Sequence, residues 1–196
     1  MLKQAKMDFP LDLTFNKKLN VAHINICTEA EGPYRRMAIW FQGCDIRCEG
    51  CCNPELQEIK VAHVMTVKEI VDIAILSKQD YGIEGVTFLG GEPTLQNGLS
   101  YLAKALALYG LGIILFTGKS YEELDENIVN SVDLIIDGKF DYKCIDENRN
   151  LIGSKNQRII YVTDRYLESE DWFLSSRNKR VEINFSDTLF VTGDVI

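Results

Sequence analysis

Three cysteines in a short loop constrain this chain more than any other feature of its sequence. Cys44, Cys48 and Cys51 follow the apolar run Ala38–Phe41 at the spacing Cys-x3-Cys-x2-Cys. Sulfurs this close in sequence can converge on one metal centre, and cysteine thiolate is the usual protein ligand of an iron–sulfur cluster. Three ligands would leave one iron of a four-iron cluster free to bind a small molecule. A structural zinc site is the alternative, and it needs a fourth ligand, for which the chain offers Cys52, Cys27 or Cys144.

The composition is that of a single folded domain with a net acidic charge. The chain has 196 residues, of which 46% are apolar and 26% charged, and a net charge of −8, which is ordinary for one domain. This charge does not favour a nucleic-acid partner, whose binding surfaces are basic, and no apolar run is long enough to span a membrane. Met1–Lys6 lacks the apolar core of a signal peptide. We therefore expect one cytoplasmic domain over 1–196, with its core at about 20–163 and a C-terminal extension at about 164–196.

Strand and helix patterns alternate through most of the chain. The predicted strands are Asn20–Thr28, Met37–Gln42, Val86–Leu89, Gly112–Phe116, Asp133–Asp137 and Arg158–Val162. The predicted helices are Thr66–Gly82, Leu95–Tyr109, Ser120–Asn130 and Tyr166–Ser176, the first and third of which open on a capping-box pattern. At the C-terminus, Arg180–Phe185 and Leu189–Thr192 predict a hairpin about Ser186-Asp187.

This alternation predicts an α/β fold with a mainly parallel sheet. A complete eight-stranded (β/α) barrel typically needs ~250 residues, so the chain is too short for one. We expect an open, partial (β/α) barrel of about five or six parallel strands, with a small C-terminal hairpin extension.

Candidate ligand-binding residues stand where the predicted strands end. Gly90-Gly91-Glu92-Pro93 follows one strand, Thr117 follows the next, and Asp137 and Lys139 end the one after that. A glycine pair lets the backbone approach a ligand without a Cβ in the way, and Glu92 offers a carboxylate. Taken alone, Gly90–Pro93 is equally consistent with a plain turn, and for Thr117 and for Asp137–Lys139 a plain turn is at least as good an interpretation. Their shared position at strand ends predicts one site beside the cysteine loop.

Taken together, the motifs resemble those of radical S-adenosylmethionine (SAM) enzymes, and most closely the activating proteins of anaerobic (class III) ribonucleotide reductase. The likeness covers about Gly32–Arg158 and rests on four motifs in the same order: Gly43–Pro54, Gly90–Pro93, Asp137–Phe140 and Gly153–Gln157. The resemblance implies a radical SAM type of fold. It also implies that Cys44, Cys48 and Cys51 are the ligands of a [4Fe-4S] cluster.

The resemblance further implies how SAM is held. Gly90, Gly91, Glu92 and Pro93 would contact the amino group of its methionine part. Asp137 and Lys139 are assigned to the region of its carboxylate, and Thr117 is a candidate ribose or backbone contact.

The activity implied by the resemblance is reductive cleavage of SAM to methionine and a 5′-deoxyadenosyl radical. That radical generates a glycyl radical on a partner enzyme, for which anaerobic ribonucleotide reductase is expected, and the electron comes from a low-potential donor such as flavodoxin or ferredoxin. Two alternatives stay open. One is a radical SAM enzyme acting on a small molecule or peptide, of the 7-carboxy-7-deazaguanine synthase type, and the other is a non-enzymatic iron–sulfur or zinc module.

The cysteine loop departs from the common radical SAM pattern at two positions. Gly50 stands where many radical SAM proteins have an aromatic residue, and the activating family shares this glycine. Cys52 stands where that family usually has an aromatic residue, and we interpret it as a bystander thiol.

Three arginines, Arg35, Arg36 and Arg47, lie near the loop in sequence. Solvated surface charge is the favoured interpretation. Docking of an acidic electron donor, or stabilisation of the anionic cluster, is the alternative.

Overall fold

The computed structural model describes residues 15–175, 181–185 and 189–193. The strands are β1 (Lys18–Thr28), β2 (Arg36–Phe41), β3 (His63–Thr66), β4 (Gly85–Gly90), β5 (Gly112–Phe116), β6 (Leu134–Asp137), β7 (Arg158–Tyr161), β8 (Val181–Phe185) and β9 (Leu189–Gly193). The α-helices are α1 (Val67–Tyr81), α2 (Leu99–Leu108), α3 (Glu126–Val129) and α4 (Glu170–Leu174). Two predictions concern residues outside these ranges. They are the lack of a signal-peptide core at Met1–Lys6 and the turn at Ser186-Asp187.

Seven strands form one mixed sheet in the order β3-β1-β2-β4-β5-β6-β7. Its centre, β2-β4-β5-β6, is parallel, which confirms the predicted α/β fold with a mostly parallel sheet. The outer strands β1 and β7 are antiparallel to their inner neighbours. The prediction of five or six parallel strands was therefore wrong. Four strands are parallel, and the sheet is open and mixed. The edge strand β3 was not predicted.

The reversed direction of β7 has a local cause. A parallel strand has to be reached by a crossover, usually through a helix, and the chain between β6 and β7 contains only a short 3-10 turn at Tyr142–Cys144. The chain therefore returns beside β6 as an antiparallel strand.

Helix α1 is specified by its ends and by its apolar face. The Thr66 hydroxyl accepts from the Glu69 N–H and the Glu69 carboxylate accepts from the Thr66 N–H, so the predicted capping box is present. Gly82 ends the helix at φ 67°, the left-handed conformation that glycine adopts without strain. The buried face packs with α2 against one side of the sheet, using Val67, Ile70, Val71 and Ala74 from α1 and Leu99, Leu102 and Leu106 from α2.

The opposite side of the sheet is covered in part by the C-terminal segment. Tyr166 and Phe173 are fully buried against Ile114 and Ile136 of that face. The helix predicted at Tyr166–Ser176 is instead a 3-10 turn, Asp164–Ser169, followed by the short α4. The predicted Ser120 helix is likewise a 3-10 turn and the short α3. Beyond α4, β8 and β9 pair antiparallel as the sequence predicts.

The position of Arg36 contradicts the interpretation of this residue as solvated surface charge. Its side chain is 0% exposed and forms an ion pair with Glu84 at 3.0 Å. The guanidinium also donates to the Thr87 hydroxyl and to the carbonyls of Pro33, Val86 and Gly112, and it lies 5.1 Å from the Tyr166 ring centroid. It therefore joins the start of β2 to its neighbours inside the fold.

Arg35 also lies at the start of β2, whereas the cysteine loop follows the end of that strand. A six-residue strand separates the two ends by roughly 20 Å. Arg35 and Arg36 are therefore close to the cysteine loop in sequence but about one strand length away from it in space. Only the exposed Arg47 lies on the loop itself.

Among the described residues, no helix is long and apolar enough to cross a membrane.

Candidate functional site

The carboxyl ends of the four parallel strands meet at one edge of the sheet. The cysteine loop follows β2, Gly91 and Glu92 follow β4, Thr117 follows β5, and Gly138 follows β6. Together these segments line a cavity of about 620 Å³. This volume lies in the range of small-molecule and cofactor sites. The strand-end motifs are thus brought to a single site.

The cysteine loop is held in place by its own backbone. The Gly43 N–H donates to the Leu56 carbonyl at 2.9 Å, and the Cys44 N–H donates to the Gln57 carbonyl at 3.3 Å. The Gln57 side chain then donates to the Cys48 carbonyl at 3.2 Å. These bonds close residues 43–57 into a ring that places Cys44, Cys48 and Cys51 along the cavity wall.

The three thiols have different electrostatic surroundings. A hydrogen bond with the Cys52 side chain lowers the pKa of Cys51 to about 6, and the same bond raises the pKa of Cys52. The Asn53 N–H also donates to the Cys51 sulfur at 3.4 Å. Burial raises the pKa of Cys48. The contact between Cys51 and Cys52 thus lowers the pKa of the first thiol and raises the pKa of the second.

The glycine pair after β4 fits tightly against the start of the cysteine loop. The Gly91 N–H donates to the Phe41 carbonyl at 2.8 Å, and the Glu92 N–H donates to the Gly43 carbonyl at 2.9 Å. A Cβ on Gly91 would lie 2.3 Å from the Gly43 oxygen. Gly90 has φ 111°, a conformation that side chains rarely adopt. These two positions require glycine because the two backbones are in contact.

Glu92 joins the ends of β4 and β5. Its carboxylate is 1% exposed. Oε1 accepts from the Thr94 N–H at 3.1 Å and from the Thr94 and Thr117 hydroxyls, while Oε2 accepts from the Gly118 N–H at 2.9 Å. Pro93 begins the 3-10 turn that carries Thr94. Glu92 thus fixes the part of the cavity wall that follows β4 and β5, and Thr117 is one of its partners.

Replacing Glu92 with glutamine is expected to lower the free energy of unfolding by about 1–3 kcal/mol, the cost of an unsatisfied buried donor. Each carboxylate oxygen accepts a backbone N–H, from Thr94 or from Gly118. Either orientation of the amide therefore sets its NH₂ group against one backbone donor. Urea unfolding of the metal-free protein measures the change. Glu55→Gln makes the same chemical change at an exposed position on the cavity rim and should stay within ~0.5 kcal/mol of the unmodified protein. Equal effects at the two positions would contradict the bonding described for Glu92.

The structure does not bring the side chains of Asp137 and Lys139 to the cavity. Asp137 is 1% exposed, pairs with Arg158 and accepts from the Tyr121 N–H at 2.7 Å. Lys139 is exposed. Their neighbours Gly138 and Phe140 line the cavity instead. Asp137 therefore joins β6 to β7 and to the turn after β5.

Several cavity residues were missed by the sequence analysis. Trp40 and Phe116 form part of the apolar wall, and Val191, Thr192 and Gly193 of β9 close another side. The hairpin is attached there by hydrogen bonds from the Gly193 N–H to Glu31 at 3.0 Å and from the Glu29 N–H to Glu182 at 2.8 Å. The position of Trp40 follows from its place in β2, but no sequence signal indicates where the hairpin packs.

The residues at the site fit a [4Fe-4S] cluster. Cys44, Cys48 and Cys51 form no disulfide and line one cavity. No three His, Cys, Asp or Glu side chains in the described part of the chain converge closely enough to hold a single metal ion. A four-iron cluster does not require such convergence because its thiolate ligands bind separate iron atoms.

The fold and the site define an α/β protein with a cysteine-lined cavity at the carboxyl edge of its parallel strands, and comparison with known proteins gives the family. A family model described as a 4Fe-4S single cluster domain matches residues 30–160. The chain belongs to this family. It is a radical SAM enzyme of the kind that activates glycyl radical enzymes, and its cofactors are a [4Fe-4S] cluster and SAM.

Two curated relatives represent two branches of these activases. The anaerobic ribonucleoside-triphosphate reductase-activating protein of Enterobacteria phage T4 is 28% identical over 152 residues, covering 74% of this chain and 96% of that protein. The pyruvate formate-lyase-activating enzyme of Clostridium pasteurianum is 31% identical over 122 residues, covering 60% of this chain and 50% of that protein. Among solved structures, QueE from Escherichia coli superposes with a TM-score of 0.45 at 20% identity, covering 55% of this chain and 56% of that chain. A similarity this low has no bearing on function.

Proposed function

We propose that this enzyme generates the glycyl radical of an anaerobic ribonucleotide reductase. The observation that carries the proposal is the cavity itself, which three thiols on one loop line together with Gly91 and Glu92 at the carboxyl edge of the parallel strands. The extent of the match supports the choice of partner. The chain covers 96% of the phage T4 ribonucleotide reductase activator but only half of the pyruvate formate-lyase activator.

In this proposal Cys44, Cys48 and Cys51 hold the cluster, and the methionine part of SAM binds against Gly90, Gly91 and Glu92 in the same cavity, with Pro93 beginning the turn that follows. The chemistry that the two cofactors supply when bound is one-electron cleavage of SAM to methionine and a 5′-deoxyadenosyl radical. The protein fixes the geometry and excludes water. The Glu92 carboxylate already accepts hydrogen bonds from Thr94, Thr117 and Gly118, in the segments that follow β4 and β5, so its proposed role is to hold the Gly91 backbone where SAM can contact it.

The partner supplies the group that reacts. A hydrogen atom removed from the α-carbon of a glycine in the partner leaves the glycyl radical, and the carbon radical derived from SAM becomes 5′-deoxyadenosine. The electron comes from a low-potential protein such as flavodoxin or ferredoxin. Arg47, exposed on the cysteine loop, is the cationic residue best placed to receive such an acidic donor.

Anaerobic EPR spectroscopy tests the proposal. The protein is reconstituted with iron and sulfide, reduced, and mixed with SAM and the anaerobic ribonucleotide reductase of the same source. A doublet near the free-electron position, accompanied by 5′-deoxyadenosine, is the expected result. The doublet should be absent when the glycine at the radical position of the reductase is replaced with alanine.

A parallel reaction with pyruvate formate-lyase tests the choice of partner. A doublet formed only with pyruvate formate-lyase would show that the enzyme generates a glycyl radical but that the proposed partner is wrong. SAM cleavage that depends on small metabolites and gives no protein radical would favour the small-molecule alternative. An intact cluster that never cleaves SAM would contradict the proposal as a whole.

A further inference from the structure

The C-terminal hairpin presents one edge of its last strand to the cavity. Residues 191–193 of β9 are consecutive and all three line the cavity, whereas residues 181–183, which lie opposite them on β8, do not. Successive side chains of a strand point to opposite faces of its sheet, so a face of β9 would bring only alternate residues to the cavity. The cavity is therefore bordered by the edge of β9 that lies away from β8.

A hydrogen bond outside the hairpin shows which backbone groups point to this edge. Gly193 lies opposite Val181 in the antiparallel register, but its N–H donates to the Glu31 carboxylate at 3.0 Å. Gly193 and Val181 are thus a pair that is not hydrogen-bonded to each other, and such pairs alternate with bonded pairs along an antiparallel ladder. Val191 lies opposite Ile183, two residues before Gly193. It therefore also directs its N–H and C=O away from β8.

The outer edge of β9 is open to a further strand. In the part of the chain that the structure describes, β8 and β9 form a sheet of their own, and β8 is the one strand paired with β9. Val191 is 37% exposed. The N–H and C=O groups of such an edge can bind an extended segment of another chain, which adds to the sheet as one further strand.

The group on which the proposed function acts is a glycine. A glycine has no side chain, so a binding site can recognise this residue only through its peptide groups. A strand edge binds peptide groups whatever the side chains are. The outer edge of β9 borders the cavity that Cys44, Cys48 and Cys51 also line. It lies beyond the residues 30–160 that the family model matches.

We propose that the outer edge of β9 binds the segment of the partner enzyme that carries the reacting glycine. The segment lies extended along β9 and forms main-chain hydrogen bonds with Val191, which places the glycine beside the cavity. The inference rests on the proposed function, since it concerns the substrate of that same site.

Val191→Pro tests the inference because it removes the N–H from the outer edge. That N–H points away from β8, so the bonds between β8 and β9 stay in place, as for other prolines on strand edges. The rate of glycyl radical formation on the reductase is followed by EPR at partner concentrations below saturation. We expect this rate to fall about tenfold or more, the effect of losing one or two hydrogen bonds. An unchanged rate would overturn the inference.

Ile183→Pro is the matched control. Ile183 lies opposite Val191, is exposed, directs its N–H away from β9 and does not line the cavity. The rate should stay within about twofold of that of the unmodified protein, as for other surface substitutions. An equal loss of rate in the two variants would overturn the inference, because the hairpin would then only support the cavity.

Synthetic peptides provide a second test, on the unmodified protein, which decides if Val191→Pro loses its iron. A peptide with the sequence of the reductase around its radical glycine should compete with the reductase. An added strand directs every second N–H to its neighbour. Methylation of single peptide nitrogens should therefore weaken competition at alternate residues and have no effect at the residues between them. A loss without this alternation, or no competition by the unmethylated peptide, would overturn the inference.

The unmodified protein separates this inference from the proposed function. If it forms no doublet with the reductase or with pyruvate formate-lyase, the proposed function fails and the binding edge fails with it. If only pyruvate formate-lyase gives a doublet, the same variants and a peptide of that enzyme are compared. A doublet that the unmodified protein and Val191→Pro form at equal rates would overturn the binding edge alone.

Discussion

Replacing Cys44, Cys48 or Cys51 with alanine is expected to abolish both the cluster and SAM cleavage. Each residue is one of the three proposed cluster ligands among the cysteines that line the cavity, and a cluster that loses one of three ligands is not held. Iron and sulfide analysis after reconstitution, together with chromatographic detection of 5′-deoxyadenosine, measures the loss. Both signals should fall to the background of the metal-free protein.

Cys52→Ala is the matched control because Cys52 lies next to Cys51 and lines the same cavity. Its side chain lowers the pKa of Cys51 through a hydrogen bond, and in the proposed ligand set it is the neighbour of a ligand. The variant should retain iron and cleave SAM. If Cys52→Ala lost the cluster while Cys51→Ala kept it, the ligand set would be shifted by one residue. Cys144→Ala, outside the cavity, should behave like the unmodified protein.

Local patterns in the sequence were sufficient to predict the central strands and the edge at which the site lies. The short apolar run of β2 indicates a strand buried on both faces, and β2 is fully buried. Parallel strands share one carboxyl edge, so the residues after β2, β4 and β5 had to lie near each other. The Thr66 capping box fixed the start of α1 because both of its hydrogen bonds are made within four residues.

What could not be predicted depends on contacts between distant parts of the chain. The direction of β7 depends on a loop without a helix, and loop conformation has no periodic signal. Asp137 was assigned to a ligand, whereas it pairs with Arg158 on the neighbouring strand. The hairpin that closes one side of the cavity is attached by side chains far away in sequence.

Arg36 shows most clearly what the sequence could not predict. The neighbouring Arg35 has the same charge, but Arg35 is exposed and Arg36 is buried. The Arg35 side chain is 59% exposed and pairs with Glu29 at 3.2 Å. Strand alternation turns the next side chain inward, where Glu84 and three carbonyl groups receive it. Sequence shows two adjacent cations, and only the packing of β2 against β4 distinguishes them.

Arg36→Ala is therefore expected to lower the free energy of unfolding by about 3–5 kcal/mol, the usual cost of removing one member of a buried ion pair. Glu84 keeps its bonds from Arg165 and Tyr166. The main loss is at the Val86 and Gly112 carbonyls and the Thr87 hydroxyl, which lose a donor in a place that water does not reach. Urea unfolding of the metal-free protein, followed by circular dichroism, measures the change.

Arg35→Ala is the control, and its exposed ion pair should contribute no more than about 1 kcal/mol. Arg36→Lys should fall between the two, because an ammonium group keeps the charge but cannot reach all the acceptors that the planar guanidinium serves. If Arg36→Ala and Arg35→Ala were equally stable, the cost of removing the Arg36 guanidinium from water would offset everything that its bonds contribute. The network would then orient β2 relative to β4 without stabilising the fold.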